Sequence, residues 1–371
     1  MNAFIALAVI VTAVVTHARP TPHPLTLVSR TFNDSDIYAN WPTYDELPLH
    51  PSFPTRAAWG VWGDNDQLGA LNHIRNTTIL AAKNEIQLGR AINLNLELSM
   101  PDPPLNPVRR PLIHAIQPRA GYQDDVITLN TQISTQFDGL KHFPYSTNNS
   151  QSTYQFYNDL ITFDDIVSAE GTTVLGIQNA AQKGIAGRGV LLDWAGWMES
   201  KNATFDVFSN TTISPSELDE VAAWQGLNAT SFFKPGDFLV LRTGFTQQYD
   251  ALPAHEQAIL PYRADADATF LGTEASGDLL RWLWEKKLSL VGSDNPAFEA
   301  LPNTGEVIDG DMRSLHQVFI GGWGMSIVEY LNLEELAKTC HELGRYSFFF
   351  TIQNLNVVGG IASPPTALAI V

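Results

Sequence analysis

The hydrophobic positions of the chain fall into strand-like runs and helix-like periods that alternate from about residue 77 onward. Apolar residues recurring at the helical period predict helices at about Thr77–Leu88, Gly277–Lys286 and Glu334–Leu343. Apolar runs bounded by glycine, proline or polar residues predict strands at Ala91–Leu96, Val126–Phe137, Val190–Leu192, within Lys234–Gly244, and at Leu288–Val291 and Phe348–Ile352. Strands that alternate with helices are typical of an α/β protein.

The amino terminus has the pattern of an export signal. The run from Ala3 to Val15 is almost wholly apolar, too short to span a bilayer but as long as a signal-peptide core, and small residues follow it. Residues 1–18 are therefore predicted to be a signal peptide, and the mature protein to be secreted. The proline-rich residues 19–58 are predicted to form an extended arm, and residues 59–371 a single catalytic domain.

Six Asn-x-Ser/Thr sequons, none with a central proline, agree with passage through the secretory pathway. The predicted glycosylation sites are Asn33, Asn76, Asn148, Asn202, Asn210 and Asn228. Cys340 is the only cysteine, so no internal disulfide can form. It lies on the apolar side of a predicted helix, which indicates a core residue rather than a reactive thiol.

Composition narrows the choice of partner. Charged residues are 16% and apolar residues 44% of the chain, as in a globular protein. The net charge of −17 argues against nucleic acid and against anionic membranes once the signal is removed, because binding phosphates requires a basic surface. A small-molecule substrate is expected, and the aromatic segment Tyr154–Phe163 would suit an aromatic one.

The stretch from Gln132 to His142 combines amides, a carboxylate and an imidazole at spacings of two and four residues. Counted by twos along an extended segment, one face carries Gln132, Ser134, Gln136 and Asp138. Gly139 permits a turn that returns His142 over that face. A carboxylate and an imidazole brought together in this way can bind a metal or move a proton. A turn-capping Asp138 beside a buried, hydrogen-bonded His142 fits the spacing equally well.

A second group of candidate residues lies between Leu315 and Glu329. On one continuous helix His316 and Glu329 would lie on different faces. Three glycines between them, Gly321, Gly322 and Gly324, predict a break at which the chain folds back and brings the two side chains together.

Two further segments carry polar residues beside predicted strands. Ser293, Asp294 and Asn295 follow the strand Leu288–Val291, a position where sites in α/β sheets are common. The glycine-rich start of Gly184–Asp193 is predicted to be a loop, with Arg188 and Asp193 placed to pair or to orient loops. His73 and His114 are further candidates to approach a pocket.

The Gln132–His142 segment resembles the signature of the cyclase family that includes bacterial kynurenine formamidases and isatin hydrolases, written His-x-Gly-Thr-His-x-Asp-x-Pro-x-His. Thr135, Asp138 and His142 match, whereas Ser134 replaces the glycine and Leu140 the proline. Gln132 and Gln136 stand where the family has two metal-binding histidines, and an amide oxygen is a weaker zinc ligand than an imidazole. Other elements that resemble the family follow in its order at Trp59–Asn72, which resembles larger members common in fungi, and at Gly184–Asp193, Lys234–Gly244, Leu315–Glu329 and residues 359–367.

The resemblance implies an α/β domain of the swivelling β/β/α type, with a mixed, partly barrel-like sheet flanked by helices. It also implies a divalent metal held by Asp138, His316 and Glu329, with Gln136 and Gln132 as amide-oxygen ligands. Such an oxygen-rich set favours manganese or another harder ion over zinc, and the metal is expected to be manganese or zinc. Relatives of this kind often assemble as dimers or tetramers, so a homo-oligomer is a further option.

The function that the resemblance implies is hydrolysis of a C–N bond in an amide, an aryl formamide or a lactam such as isatin. The metal would activate water, and His142, with Asp138 beside it, would accept the proton. The two glutamines leave open a metal-independent cyclase, dehydratase or isomerase of secondary metabolism, in which His142 is the base and Asp138 or Glu329 the acid. A ligand-binding relative without catalysis is the third alternative.

Overall fold

The computed structural model describes residues 37–146, 150–228, 230–264, 267–302, 307–308, 311–312 and 314–371. The predicted signal peptide, the first part of the proline-rich arm, and the sequons at Asn33 and Asn148 lie outside the described residues. Along the described part of the chain, no helix is both long enough and apolar enough to cross a membrane.

The fold is built around one large mixed sheet. In chain order the strands are β1 Ala91–Asn93, β2 Ile113–Pro118, β3 Gln123–Thr128, β4 Gln136–Asp138, β5 Ile185–Asp193, β6 Thr212–Ile213, β7 Phe238–Arg242, β8 Gly272–Thr273, β9 Leu290–Ser293, β10 Val307–Ile308, β11 Asp311–Met312, β12 Ile327–Glu329, β13 Ser347–Gln353, β14 Ala362–Ser363 and β15 Thr366–Ile370. Nine of them form a sheet in the order β1-β15-β13-β5-β7-β9-β12-β4-β14. Strands β5, β7, β9 and β12 run parallel, and the other neighbours are antiparallel.

Helices flank this sheet. The α-helices are α1 Asn76–Ala82, α2 Phe163–Val167, α3 Gln178–Lys183, α4 Trp194–Ser200, α5 Pro215–Trp224, α6 Phe245–Ala251, α7 Ala254–Gln257, α8 Gly277–Lys286 and α9 Glu334–Leu343. Short 3₁₀ turns lie at Tyr44–Glu46, Gly69–His73, Lys83–Glu85, Gln151–Thr153, Tyr157–Asp159 and Leu260–Tyr262, and a π-helix spans Gln317–Trp323. The sheet curls into a half-barrel, so the predicted mixed, partly barrel-like sheet flanked by helices is confirmed.

The central strands are covered on both faces, which explains why their sequences read as continuous apolar runs. In β7, Leu239 and Leu241 pack into one hydrophobic cluster, while Phe238 and Val240 pack into a second cluster on the opposite face. Successive side chains of a strand point to opposite sides, so each face receives every second residue. This pattern predicted the strand within Lys234–Gly244 correctly, and helices α8 and α9 also have their predicted bounds.

The predicted strand Val126–Phe137 is wrong. Strand β3 ends at Thr128, and a turn follows before β4 begins at Gln136. The side chain of Asn130 accepts a hydrogen bond from the backbone N–H of Gln132 at 2.9 Å. Asparagine bonded in this way to the backbone two residues on competes with strand pairing, so it stabilises the turn instead.

The predicted loop at the start of Gly184–Asp193 is also wrong, because β5 begins at Ile185 and includes two of the three glycines that suggested a loop. A Cβ atom added at Gly189 would lie 2.3 Å from the ring of Phe348 on the neighbouring strand β13. The glycine is therefore required because the aromatic side chain packs directly on the backbone, rather than because the chain turns.

The described part of the predicted arm, residues 37–58, packs against the rest of the chain. Tyr44 and Leu47 are buried in the larger hydrophobic cluster. The indole N–H of Trp284 donates to the carbonyl oxygen of Pro42 at 2.8 Å, and Arg281 binds both carboxylate oxygens of Asp45. The boundary at residue 59 between arm and domain stays a prediction.

His73 lies within an aromatic cluster, where it lines a small cavity with Trp41 and Trp62 rather than approaching the Gln132–His142 segment, which corrects the sequence-based expectation. Its ring contacts Trp41 and Trp62 at centroid distances of 4.9 and 4.8 Å, and the hydroxyl of Tyr38 lies 2.9 Å from Nδ1. Burial, reinforced by the charges of Lys287 and Arg75, lowers the pKa of His73 to about 3. The native protein therefore holds this imidazole neutral, as its apolar surroundings require.

This burial makes stability depend on pH. In the unfolded chain His73 has a pKa of about 6.5, so below that pH it binds a proton that it does not bind in the native protein. The free energy of unfolding therefore falls as the pH drops from 6.5 towards 3. We expect a contribution of about 2 kcal/mol between pH 7 and pH 5. Urea unfolding at pH 7 and pH 5 should show that the free energy of unfolding falls by about 2 kcal/mol less in His73→Phe than in the wild type. His255→Phe, altering a side chain that is 80% exposed, is the matched control and should behave as wild type. Equal losses in wild type and His73→Phe would contradict a neutral buried His73.

Candidate active site

The antiparallel pairing of β4 with β12 brings three polar side chains together. Gln136 lies directly opposite Glu329, and Asp138 lies opposite Ile327. Directly opposed residues of a strand pair project from the same face, and the alternation along β4 places Asp138 on that face as well. The residues between them, Phe137 and Val328, point to the other face and pack in the second hydrophobic cluster.

The two glutamines bind the two carboxylates. Nε2 of Gln136 donates to Oε2 of Glu329, and Nε2 of Gln132 donates to Oδ1 of Asp138 at 2.6 Å. Gln132 reaches Asp138 from the turn before β4. The prediction that Gln132 lies near Asp138 was therefore correct, but its basis, alternation along one strand, was wrong. Arg109 holds this turn by donating from Nη1 to the carbonyl oxygen of Gln132 at 2.5 Å. Ser134 donates instead to the carbonyl oxygen of Glu97, so its predicted place on the shared face is wrong.

His316 lies immediately before the π-helix Gln317–Trp323. Gly324 caps the carboxyl end of this helix, with φ +62° in the left-handed region. The chain then returns as β12, so the predicted break places Nε2 of His316 3.0 Å from Oε1 of Glu329 and 3.6 Å from Oδ2 of Asp138. Gly324 cannot carry a side chain here, because an added Cβ would lie 2.7 Å from Cα of Gly69 and 2.9 Å from the ring of Tyr157.

His142 completes the group. The backbone N–H of His142 donates to the carbonyl oxygen of Gly139 at 2.9 Å, which closes the predicted turn. Nε2 of His142 then lies 3.7 Å from Oδ2 of Asp138. Asp138, Glu329, His316 and both glutamines are buried, whereas the His142 side chain keeps 20% of its surface exposed. His142 is therefore the member of the group best placed to exchange a proton with solvent.

Burial and neighbouring charges shift the pKa values within the group. Burial, together with the charge of Asp138, raises the pKa of Glu329 to about 7. Burial lowers the pKa of His142, so its imidazole is neutral near pH 7. Burial also acts to lower the pKa of His316, but the charge of Glu299 and hydrogen bonds to Asp138 and Glu329 outweigh it and raise that pKa well above its usual value. The group therefore favours a positive charge at the position of His316.

Glu299 fixes the orientation of His316. Its Oε2 lies 2.8 Å from Nδ1 of His316, and its Oε1 accepts the backbone N–H of the same residue at 3.4 Å. When Nδ1–H donates to Glu299, the Nε2 atom of a neutral imidazole turns its lone pair towards Asp138 and Glu329. A carboxylate behind a histidine is a common support for a metal ligand.

When the imidazole of His316 is neutral, with its proton on Nδ1, four buried oxygen atoms in this group lack a hydrogen-bond donor: Oε1 of Gln132, Oε1 of Gln136, Oδ2 of Asp138 and Oε1 of Glu329. Buried acceptors without a donor are costly, and a cation beside Nε2 of His316 would satisfy the two carboxylate oxygens. Ligand atoms of Asp138, His316 and Glu329 lie within 4.8 Å of one another, close enough to share one ion. Carboxylate and amide oxygens with one imidazole suit a divalent ion, so the residues present fit a metal.

Other segments singled out in the sequence lie outside this group. Asp294 accepts hydrogen bonds from Thr243 and from the backbone of Gly244 and Phe245, so it caps the start of α6 rather than forming a site. In the aromatic segment Tyr154–Phe163, Tyr157 is fully buried and donates to Asp66, which indicates packing rather than a substrate wall.

The remaining candidates form separate ion pairs. His114 lies on the exposed hairpin β2–β3, with Nε2 2.8 Å from Asp125. Arg188 and Asp193 do not pair with each other, since Arg188 binds Asp237 at 2.8 Å and Asp193 binds Arg242 at 2.9 Å. Both interactions are buried and join strands of the sheet, so their role is structural.

Three residues near the group were missed from the sequence: Glu299, Arg109 and Phe143. The ring of Phe143 lies 5.2 Å from that of His316, where it limits the space beside the imidazole. Only Glu299 carried a usable signal, because a lone acid within Ala297-Phe298-Glu299-Ala300 is a charge in an apolar run. Charged residues are rarely buried without a partner, so such an acid predicts a buried pair.

The protein combines a half-barrel mixed sheet with a buried group of carboxylates and imidazoles at strands β4 and β12. Comparison with known families identifies the α/β proteins to which it belongs. Residues 40–300 match the family described as "Putative cyclase", so the chain belongs to that family. His316 and Glu329 lie beyond the matched residues. No curated protein matches the chain.

Solved structures agree with this placement. A crystal structure described as a novel cyclase is 30% identical, covers 85% of this chain and 99% of its own, and superimposes with a TM-score of 0.71. Isatin hydrolase A from Labrenzia aggregata, bound to benzyl benzoate, is 15% identical over 76% of this chain and 93% of its own, with a TM-score of 0.50. Isatin hydrolase A from Ralstonia solanacearum is 15% identical over 80% of this chain and 97% of its own, also with a TM-score of 0.50. At 15% identity these two enzymes share the fold.

Proposed function

We propose that the protein is a metal-dependent hydrolase that cleaves a C–N bond in an amide, an aryl formamide or a lactam. The observation that carries the proposal is the buried group of Asp138, His316 and Glu329, whose ligand atoms lie within 4.8 Å of one another around Nε2 of His316. Asp138, His316 and Glu329 would hold the ion, with the amide oxygens of Gln132 and Gln136 as further ligands. A bound divalent ion would acidify water and polarise the substrate carbonyl.

The residues of the chain would supply proton transfer and orientation. His142, neutral near pH 7 because burial lowers its pKa, would take the proton of the attacking water and return it to the leaving nitrogen. The carboxylate of Asp138, 3.7 Å from Nε2, would stabilise the imidazolium that forms in between. Phe143 lies beside the imidazoles, which supports a planar or aromatic substrate. The structural similarity to two isatin hydrolases supports the same class of substrate.

The first test is elemental analysis of the purified protein by plasma mass spectrometry, before and after dialysis against a chelator, with hydrolysis of isatin, aryl formamides and aromatic esters measured in parallel. We expect close to one manganese or zinc ion per chain, loss of hydrolysis after chelation, and recovery after manganese is returned. A protein without metal that still turns over substrate would overturn the proposal.

A second candidate is a metal-independent acid/base enzyme such as a cyclase, dehydratase or isomerase. It is favoured by the pKa of about 7 of Glu329 and the raised pKa of His316, since a proton on His316 can supply the positive charge that the carboxylates demand. A poised carboxylic acid beside the base His142 has the groups required for proton shuttling. Absence of metal after reloading would select this function, or ligand binding without catalysis.

Replacing both glutamines by histidine tests whether the group converges on one cation. In Gln132→His/Gln136→His we expect zinc affinity to rise by about tenfold or more, because imidazole nitrogen is a better zinc ligand than amide oxygen. Isothermal titration calorimetry with zinc measures the change. Gln151→His/Gln353→His, which adds two exposed imidazoles far apart in the sequence, is the control and should show no gain. Equal affinities in both variants and the wild type would mean that Asp138 and His316 do not share an ion.

We also propose that the protein is secreted and glycosylated. Asn76, Asn202, Asn210 and Asn228 are all exposed, which supports their accessibility to glycosylation. Expression in a eukaryotic secretory host followed by peptide-N-glycosidase treatment should lower the apparent mass of the protein in the medium. A mass unchanged by the enzyme would argue against this proposal.

A further inference from the structure

Arg109 lies beside the candidate active site with most of its hydrogen-bonding capacity unused. Its Nη1 atom donates to the carbonyl oxygen of Gln132 at 2.5 Å, and the side chain of Gln132 in turn donates to Asp138. Within the described part of the chain, this is the only hydrogen bond of the Arg109 side chain. A guanidinium carries several N–H donors in a planar fork, so most of them remain available to a ligand.

Arg109 also lacks a carboxylate partner among the described residues. None of their carboxylate oxygens lies within 4.0 Å of its guanidinium nitrogens. By contrast, the arginines buried in the sheet, Arg188 and Arg242, bind Asp237 at 2.8 Å and Asp193 at 2.9 Å. The chain has 39 acidic residues against 22 lysines and arginines, so acidic partners are plentiful. An unpaired arginine beside a candidate active site is therefore typical of a residue that binds a ligand.

The positive charge of Arg109 acts on the groups proposed to perform the reaction. Burial lowers the pKa of His142 and raises that of Glu329, and the charge of Arg109 acts to lower both pKa values. Arg109 therefore lies close to His142, whose side chain keeps 20% of its surface exposed. The carboxylates of Asp138, Glu299 and Glu329 would repel an anionic substrate, so such a substrate requires a cation at this position.

We propose that the substrate carries a carboxylate near its scissile amide, and that Arg109 binds this carboxylate. The inference rests on the hydrolase function proposed above and adds the class of substrate. The paired N–H groups of a guanidinium match the two oxygens of a carboxylate, and such charge-assisted pairs are stronger than neutral hydrogen bonds. Because Nη1 is already held by Gln132, the guanidinium is oriented before the substrate binds. Arg109 is thus a specificity-determining residue.

Paired substrates test this inference. Formanilide is a neutral aryl formamide, and 2- and 4-formamidobenzoate add a carboxylate to the same ring. Hydrolysis of each consumes one water and gives formate and an arylamine. We expect the wild-type kcat/KM for the better formamidobenzoate to exceed that for formanilide at least about 10-fold, mainly through KM. In Arg109→Gln this preference should fall by about 10-fold or more, because glutamine can still donate to the Gln132 carbonyl oxygen but carries no charge.

Two further variants separate carboxylate binding from support of the turn. Arg110→Gln is the matched control, since it removes the same charge from the neighbouring, exposed residue, and it should keep the wild-type preference. Arg109→Lys keeps the charge but lacks the planar fork, so it should keep only part of the preference. Any loss that Arg109→Gln causes through the turn at Gln132 affects both kinds of substrate and cancels in their ratio.

Calorimetric titration with 2- and 4-aminobenzoate, compared with aniline, provides a second measurement that requires no turnover. The wild type should bind the better aminobenzoate at least about 10-fold more tightly than aniline, and Arg109→Gln should lose this difference. Arg110→Gln should retain it.

The outcomes distinguish failure of this inference from failure of the hydrolase function. A wild type that hydrolyses formanilide and both formamidobenzoates equally well would overturn the inference and leave the hydrolase function intact. So would a preference that Arg109→Gln and Arg110→Gln change equally. Hydrolysis of none of the three, with the aminobenzoate difference present and dependent on Arg109, would count against the hydrolase and still support carboxylate binding by Arg109. Absence of both hydrolysis and that difference would overturn both proposals.

Discussion

Replacing His142 by alanine is expected to lower turnover by about 10²–10⁴-fold, the usual contribution of a general base. The imidazole is neutral near pH 7 because burial lowers its pKa, and 20% of its side chain remains open to solvent. It can therefore accept a proton and later exchange it. The measurement is kcat on the best substrate from the hydrolase screen, with metal content determined on the same samples so that loss of the ion is distinguished from loss of the base.

His255→Ala is the control for the His142 prediction, because it removes an imidazole whose side chain is 80% exposed on the short helix α7. The control should retain wild-type turnover. Far-UV circular dichroism should be unchanged in both variants, since the His142 ring is not part of a hydrophobic cluster. Near-normal turnover in His142→Ala would remove this residue from the mechanism and leave proton transfer to Glu329 or solvent.

Substitution of Glu299 by glutamine is expected to weaken binding of manganese or zinc by about 10–100-fold, the usual effect of losing the carboxylate behind a histidine ligand. Glu299 accepts from Nδ1 of His316 at 2.8 Å and thereby directs Nε2 towards Asp138 and Glu329. Glutamine keeps the size of the side chain but removes the charge that stabilises this orientation. Calorimetric titration of the metal-free protein at fixed pH measures the change.

Glu199→Gln serves as the control for the metal titration, since Glu199 is an exposed residue of α4 outside the candidate site. Its metal affinity should equal that of the wild type. Glu299→Asp keeps the charge and should recover part of the affinity if the carboxylate supports His316. Wild-type affinity in Glu299→Gln would mean that His316 is not a ligand, and would favour the metal-independent function.

Local patterns in the sequence determined a large part of the fold. The apolar runs of β7 and β13 and the helical periods of α8 and α9 were correct because each depends on residues close together in the chain. Where one side chain altered the backbone, the pattern failed. Asn130 replaced the end of a predicted strand by a turn, and the ring of Phe348 required Gly189 within a strand that had been predicted as a loop.

In the candidate site, the sequence determined that Gln136 and Asp138 share a face and that glycines allow His316 to meet Glu329, because alternation and chain breaks are local properties. Only the tertiary structure decided that Gln136 lies opposite Glu329 across two antiparallel strands, since register joins segments almost 200 residues apart. The same holds for Glu299 behind His316, and for the four oxygen atoms without donors. Whether a buried polar atom finds a partner depends on every segment packed around it, so the folded chain alone could reveal a place for a cation.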